Sequence, residues 1–253
     1  MRKRGLILAT AAMSLLPTLP AELYAQDGFL FGRPKAQLTL RAGPVQHRAG
    51  GDLFDFFQSE LTLDRGDFRA PAVGGDLSIV VHPRLDIALG GSWSNVESRS
   101  EFRDWVDEGE SPGEEDDLPI EQVTSLRVTP VTASLRFYPL SRGTGISDLA
   151  WVPARTTPYL GGGGGMAWYR LKQEGDFVDA DDLSIFTAEF ESSGRTPVGH
   201  VFAGVDHWFT PRLGLNIEGR YTFGSATGSD DFADYDNIDV SGLQMGVGLA
   251  LRW

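Results

Sequence analysis

The chain of 253 residues has no cysteine. That absence excludes disulfides and thiolate metal sites, so stability must come from packing and backbone pairing. It also has no run of about 18 uninterrupted apolar residues, which excludes a membrane-spanning helix. Bases are scarce, with 22 Lys and Arg against 35 Asp and Glu and a formal charge of −13. Such a surplus of acid argues against nucleic acid as a partner. Histidine is scarcer still, at His47, His82, His200 and His207. These are too scattered for a three-ligand zinc site, and no nucleophile motif stands beside any of them. The chain is therefore not expected to be an enzyme, a lipid hydrolase being the catalytic alternative. No cofactor is expected either, because the run Gly161 to Gly165 lacks a GK[ST] ending and lies inside a strand pattern.

What the chain does have is glycine, 31 residues of it, with 11% aromatics and no sustained helical period. This composition leans to an all-β domain. At the start, Arg2, Lys3 and Arg4 precede an apolar run from Leu6 to Leu16, with small residues at Ala21 and Ala25. Residues 1–25 read as a signal peptide, since the run is too short to anchor a helix in a membrane. Residues 26–253 then form one domain. Removing the leader takes away three bases and Glu22, leaving a charge of −15.

The far end carries the clearest pattern. Leu243, Met245, Val247, Leu249, Leu251 and Trp253 alternate with Gly242, Gln244, Gly246, Gly248, Ala250 and Arg252. A period of two gives a strand with one oily face and one small or polar face. The segment 213–223 alternates equally well. If its faces were exchanged, Glu218 and Arg220 would point at lipid, where an Arg costs about 2 to 4 kcal/mol. The aliphatic face must be the outer one.

Six further segments read the same way, at about 35–46, 71–82, 85–97, 121–138, 156–172 and 197–210. The expected fold is an all-β, eight-stranded antiparallel up-and-down transmembrane β-barrel. Its outward sets include Leu38 and Leu40, Leu77 and Ile79, Ile87 and Leu89, Val131 and Leu135, Ala167, Tyr169 and Leu171, and Val201 and Val205. Parity breaks before Pro130, which predicts a bulge or bend there. Tight links at His82–Arg84 and Thr210–Arg212 alternate with long polar segments at 47–70, 98–120, 173–196 and 225–239, the alternation that such a barrel requires. A soluble sandwich, the alternative, does not account for it. The segment 140–157 is long where a short turn is expected.

The same assignment turns Arg41, Arg136, Arg170, Arg220 and Arg252 inward against Asp76, Asp86, Asp206 and Glu218. Eight strands leave room for little more than side chains, so these groups are expected to pair as a polar network that plugs the lumen. Inward glycines at 162, 164, 242, 246 and 248 leave open a narrow passive channel for small solutes.

The three long segments after the first hold a net charge of −18, placing the acidity on one exposed rim. Solvated loop surface is the ordinary account. Asp230, Asp231, Asp234 and Asp236 are weak candidates for loose divalent cation capture, without the Gly and closing Glu of an EF-hand loop. In the first long segment, Leu53, Phe54, Phe57 and Leu61 fall on one face of a short helix that could cap the mouth, or form a satellite cluster under the loop.

Thr157–Leu160 before Gly161–Gly165, Ala203–Asp206 followed by Thr210–Leu213, Glu218–Tyr221 and the terminal Trp253 together resemble small eight-stranded outer-membrane β-barrel proteins, the group of the OmpA membrane domain and the OmpW-like proteins. The resemblance implies residence in the bacterial outer membrane among its lipids. It also implies Trp253 as the C-terminal assembly signal read by the barrel-assembly machinery, where the family usually has Phe. A monomer is expected, with a structural or surface-interaction role. The OmpW-like side of the resemblance implies instead an apolar lining for small hydrophobic solutes.

Overall fold

A pleated strand turns successive side chains to opposite faces, and segments that alternate in this way pair edge to edge here until the ring closes. The computed structural model describes residues 28–107, 118–147, 150–179, 182–235 and 237–253. The leader read over 1–25 and Asp236 lie outside the described residues. In chain order the elements are β1 (Leu30–Phe31), β2 (Ala36–His47), α1 (Asp52–Glu60), β3 (Arg69–His82), β4 (Leu85–Asp107), β5 (Leu118–Phe137), β6 (Gly143–Ser147), β7 (Ala150–Pro153), β8 (Thr156–Val178), β9 (Ile185–Trp208), β10 (Leu213–Phe223), β11 (Ser225–Ala226), β12 (Ile238–Asp239) and β13 (Gly242–Arg252).

Eight of these strands form a closed antiparallel barrel in the order β10-β13-β2-β3-β4-β5-β8-β9. Closure comes from the last strand, β13, which pairs with β10 on one side and β2 on the other. Within the wall every barrel strand thus has two partners and no open edge; β4 beyond Ser94 and β9 before Gly199 keep a strand partner on one side only. The outward face of β13 is as expected: Leu243, Met245, Val247, Leu249 and Trp253 are between 48% and 58% exposed. Leu40, Val73, Ile79, Leu89, Val131, Leu135, Leu160, Val201 and Ile217 continue that exposed apolar band around the wall. An apolar outer wall around charged interior groups is the arrangement of a barrel set in lipid. No described helix is long and apolar enough to cross a membrane.

The start of β2 and the end of β13 share one mouth with the short links, which we call the terminal end; the opposite mouth is the loop end. A membrane crossing needs about 9–11 residues per tilted strand. β4, β5, β8 and β9 run for 23, 20, 23 and 24 residues. The stretches 98–120 and 173–196, expected as loops, are therefore in large part paired strand, rising as two hairpins beyond the apolar band. Charged side chains on both faces do not oppose pairing in water, because the ladder hydrogen bonds belong to the backbone. In the β8–β9 hairpin the Ser184 side chain and backbone N–H hydrogen-bond Asp182 and hold its carboxyl below the usual range.

Two further expectations are corrected. No bulge precedes Pro130: β5 keeps one register with β4 from Gly91↔Val131 to Ser94↔Val128, and one with β8 across Pro130↔Ala167. Ala167, Tyr169 and Leu171 face inward and are buried, while Trp168 and Arg170 face outward and are exposed. The inward glycines of β8 are accordingly 161, 163 and 165 rather than 162 and 164. Both errors have one cause. The loop-end half of the lumen is filled with apolar side chains, so Leu126, Val128, Ala167, Tyr169 and Leu171 point into an oily interior and mimic the lipid-facing pattern.

Candidate functional site

The lumen has three zones. At the loop end the connection from β2 to β3 folds inward. Asp52 and Asp55 sit in the first turn of α1, where the helix dipole favours acids. Its apolar face brings Leu53, Phe54 and Phe57 to at most 1% exposure. They join Leu61, Leu63 and Phe68 from the same connection, Phe232 and Ile238 from the last loop, and Val45, Ala72, Val96, Leu126, Val128, Leu171 and Val198 from the wall. Phe54 meets Phe57 and Phe68 edge to face, and Phe57 meets Phe232. Each such side chain contributes about 1.5 to 3 kcal/mol on burial, which makes the cluster a cohesive plug. The helix expected from Leu53, Phe54 and Phe57 is present, and its cluster is continuous with the wall.

In the middle lies the charged network. Arg41 from β2 and Arg136 from β5 converge on Asp76 of β3: Arg41 Nη2 is 2.5 Å from Asp76 Oδ1, and Arg136 Nη2 lies 3.0 Å from both carboxylate oxygens. Glu218 of β10 receives Arg220 at 2.9 Å, Arg41 at 3.3 Å and the Tyr159 hydroxyl at 2.8 Å. Asn216 donates to the Tyr159 hydroxyl at 2.8 Å and to Asp206 at 2.6 Å, and Gln37 donates to Asp206 at 3.1 Å. The guanidinium of Arg136 stacks over the Tyr159 ring at 4.4 Å, and that of Arg220 over Phe202 at 5.0 Å. Three arginines thus face three acids. Each desolvated charge costs several kcal/mol, which these pairs offset in large part; Arg136 Nε and Nη1 are buried without a hydrogen-bond partner among the described residues.

Glycine makes the space. A Cβ on Gly204 would stand 2.5 Å from the Tyr159 hydroxyl, and one on Gly161 would stand 2.4 Å from the Phe202 ring.

At the terminal end the long connection between β5 and β8 is the closing element. Its strands β6 and β7 form a three-stranded sheet with β1. Arg142 from this connection binds Asp86 at 2.7 Å and stacks over Tyr138 at 4.1 Å. Arg252 has no acid within 4 Å among the described residues. It lies over the Trp208 ring at 3.6 Å, with Trp151 of β7 at 5.4 Å, and donates to the Pro211 carbonyl at 2.7 Å.

Of the nine charged residues expected in the lumen, Arg41, Asp76, Arg136, Glu218 and Arg220 meet in one cluster, with Asp206 joined to it through Asn216. Asp86 and Arg252 are inward but belong to the terminal-end closure. Arg170 is not in the lumen. It faces outward from β8, where it binds Glu191 at 2.8 Å. Sequence reasoning missed Arg142, Tyr159, Gln37 and Asn216. The parity of β2 and β10 marks Gln37 and Asn216 as inward; Arg142 lies in a connection with no alternation to read.

Two small cavities lie beside the network and the plug. One of about 10 Å³ touches Arg41, Glu218, Arg220 and Gln244. The other, about 30 Å³, lies nearer the plug against Val45, His47, Ser94, Val128 and Gln244. A single water fills a space of about 10–15 Å³ on this measure. Two buried Ser–His contacts flank the interior, Ser134 with His200 at 2.8 Å and Ser94 with His47 at 3.2 Å. Neither imidazole has a partner on Nδ1 among the described residues, so neither pair carries the acid that completes a catalytic triad.

Two of the four acidic candidates are described. Asp231 accepts the Glu191 backbone N–H at 2.8 Å, Asp234 is exposed, and Asp236 and the Asp230 side chain are outside what the structure describes. Among the described residues no three His, Cys, Asp or Glu side chains group as metal ligands.

No protein-family model and no curated protein matches the chain. Among solved structures it is similar to Neisserial surface protein A, at 13% identity over 90% of this chain and 98% of that one, with a TM-score of 0.43. It is also similar to the outer membrane protein OprG from Pseudomonas aeruginosa, at 13% identity over 88% and 99% with a TM-score of 0.44. A major outer membrane protein from Thermus thermophilus matches at 10% identity over 86% and 99%, with a TM-score of 0.45. The first two are small outer-membrane β-barrels. The eight-stranded architecture of this chain is set by its own strand pairing.

Proposed function

We propose that this chain is an outer-membrane β-barrel with a closed lumen, and that it acts at the outer surface through its two long strand hairpins. One observation carries the reading: the apolar plug, the Arg–Asp–Glu network and the terminal-end cap follow one another along the lumen, and the two cavities beside them hold about 10 and 30 Å³. The hairpins β4–β5 and β8–β9 rise beyond the apolar band and carry the acidic rim outward. Export follows from the leader, and assembly from recognition of the last strand and Trp253. The closed ring of the wall offers no strand edge to a second copy within the membrane, which supports a monomer. The proposed role is not enzymatic, because the buried Ser–His pairs lack an acid.

Swelling of proteoliposomes in small sugars tests this reading. Swelling at the rate of protein-free vesicles supports it, and rapid swelling opposes it. A second reading, passage of small hydrophobic solutes, draws on the apolar wall that would be uncovered at the loop end if α1 withdrew. It requires swelling or solute uptake that rises when the plug is weakened.

A further inference from the structure

The outer wall carries a pattern that the lumen does not explain. Following the strands outward from the apolar band, the first charged side chain on the lipid-facing side is Arg69 on β3, Arg127 on β5, Arg170 on β8 and Arg195 on β9, and it is Glu97 on β4. Above this level the described hairpin strands carry acids, among them Glu101 and Asp104 on β4, Glu174 and Asp176 on β8, and Glu189 and Glu191 on β9.

Three of these arginines are neighbours. Arg127 and Arg170 are direct cross-strand partners on β5 and β8. Like charges placed opposite one another oppose pairing. Arg195 pairs with Trp168, which puts it diagonal to Arg170 on the same face. All three are exposed. Arg170 is bound by Glu191, and Arg127 donates to the Asn95 side chain at 3.4 Å; Arg195 has no acid within 4 Å among the described residues. Higher up, Lys172 is already held between Glu174 and Glu189. Glu97 of β4, on the same face and diagonal to Arg127, accepts from Asn95 at 3.2 Å, so three guanidiniums stand against two carboxylates, a local excess of one positive charge. Trp93 and Trp168 stand half-exposed two residues below Asn95 and Arg170. Such tryptophans mark the level where acyl chains give way to head groups.

We propose that Arg127, Arg170 and Arg195 form a binding site on the outer wall for the phosphate of a lipid head group in the outer leaflet. Guanidinium forks match phosphate oxygens in two-point hydrogen bonds. The acidic rim above repels soluble anions, so the phosphate arrives from the membrane plane, with its acyl chains along the wall below Trp168. A bound phosphate also relieves the Arg127–Arg170 repulsion. The proposal rests on the membrane-barrel reading above.

The test uses the full chain refolded in a zwitterionic detergent, titrated with dihexanoyl phosphatidic acid and followed by tryptophan fluorescence. Dihexanoyl phosphatidylcholine and inorganic phosphate serve as comparisons. Phosphatidic acid is expected to bind, and R127Q/R170Q/R195Q to weaken it by about fivefold per arginine. Arg99→Gln, higher on β4, should leave binding unchanged. In detergent without the lipid, Arg127→Gln should unfold no more readily than the parent. Equal binding by the parent and triple variant, equal binding of phosphatidylcholine, or mole-for-mole competition by inorganic phosphate would overturn the proposal. If the triple variant fails to fold, Arg195→Gln alone gives the same comparison. Insertion into phosphatidylcholine vesicles with protease protection separates the two readings: a chain that inserts without preferring phosphatidic acid overturns only the lipid site, and one that cannot insert overturns the barrel reading.

Discussion

Arg136 donates to both carboxylate oxygens of Asp76 at 3.0 Å, across the interior from β5 to β3, with no exposure of the arginine side chain. Removing Arg136 leaves Asp76 with Arg41 as its close partner but unbalances a buried set of charges. Arg136→Ala is expected to destabilise the barrel by about 3–5 kcal/mol. Arg136→Met combined with Asp76→Leu should recover most of that loss. Urea unfolding in lipid vesicles measures both, and a single variant as stable as the parent would contradict the network.

The lumen network was readable from alternation wherever one face meets lipid and the other meets charge. Arg41, Asp76, Glu218 and Arg220 all fell out of that contrast. It fails where both faces are apolar, and β8 shows how: Tyr169 and Leu171 pack on the plug, so their side of the strand reads as lipid-facing and Arg170 is turned the wrong way. The cap was hidden for a different reason. The connection reaches the charged end of the lumen with Arg142 and Trp151, and two isolated side chains in a connection leave no periodic signal. The plug helix, in contrast, announced itself through the spacing of Leu53, Phe54 and Phe57.

Phe57 touches Phe54 and Phe232, joining the first loop to the last. Phe57→Ala is expected to weaken the plug by about 3–5 kcal/mol while leaving barrel pairing intact. Hydrogen exchange should rise in residues 52–63 and stay slow in β13. Unchanged exchange in the loop would show that Phe57 does not hold it.

Tyr159 reaches Glu218 only because Gly204 has no side chain. Gly204→Ala places a methyl where the phenol oxygen lies and also crowds the Ile217 carbonyl, 2.6 Å from the added carbon. The expected loss of about 1–3 kcal/mol comes from leaving Glu218 and Asn216 short of a partner. Tyr159→Phe should reproduce most of it, and the two changes together should be less than additive.

Trp151 and Trp208 flank the Arg252 guanidinium at the terminal end. Trp151→Ala is expected to speed hydrogen exchange in β6 and β7 several-fold, with the eight barrel strands unaffected, because the cap is a separate sheet. Loss of protection throughout the barrel would mean that the cap is part of its cooperative core.

The closed lumen is tested most directly by conductance of the purified chain in planar bilayers. We expect no steady channels from the parent protein. Reproducible channels whose conductance changes with Glu218→Gln or Arg220→Gln would show an open path through the network and contradict the account.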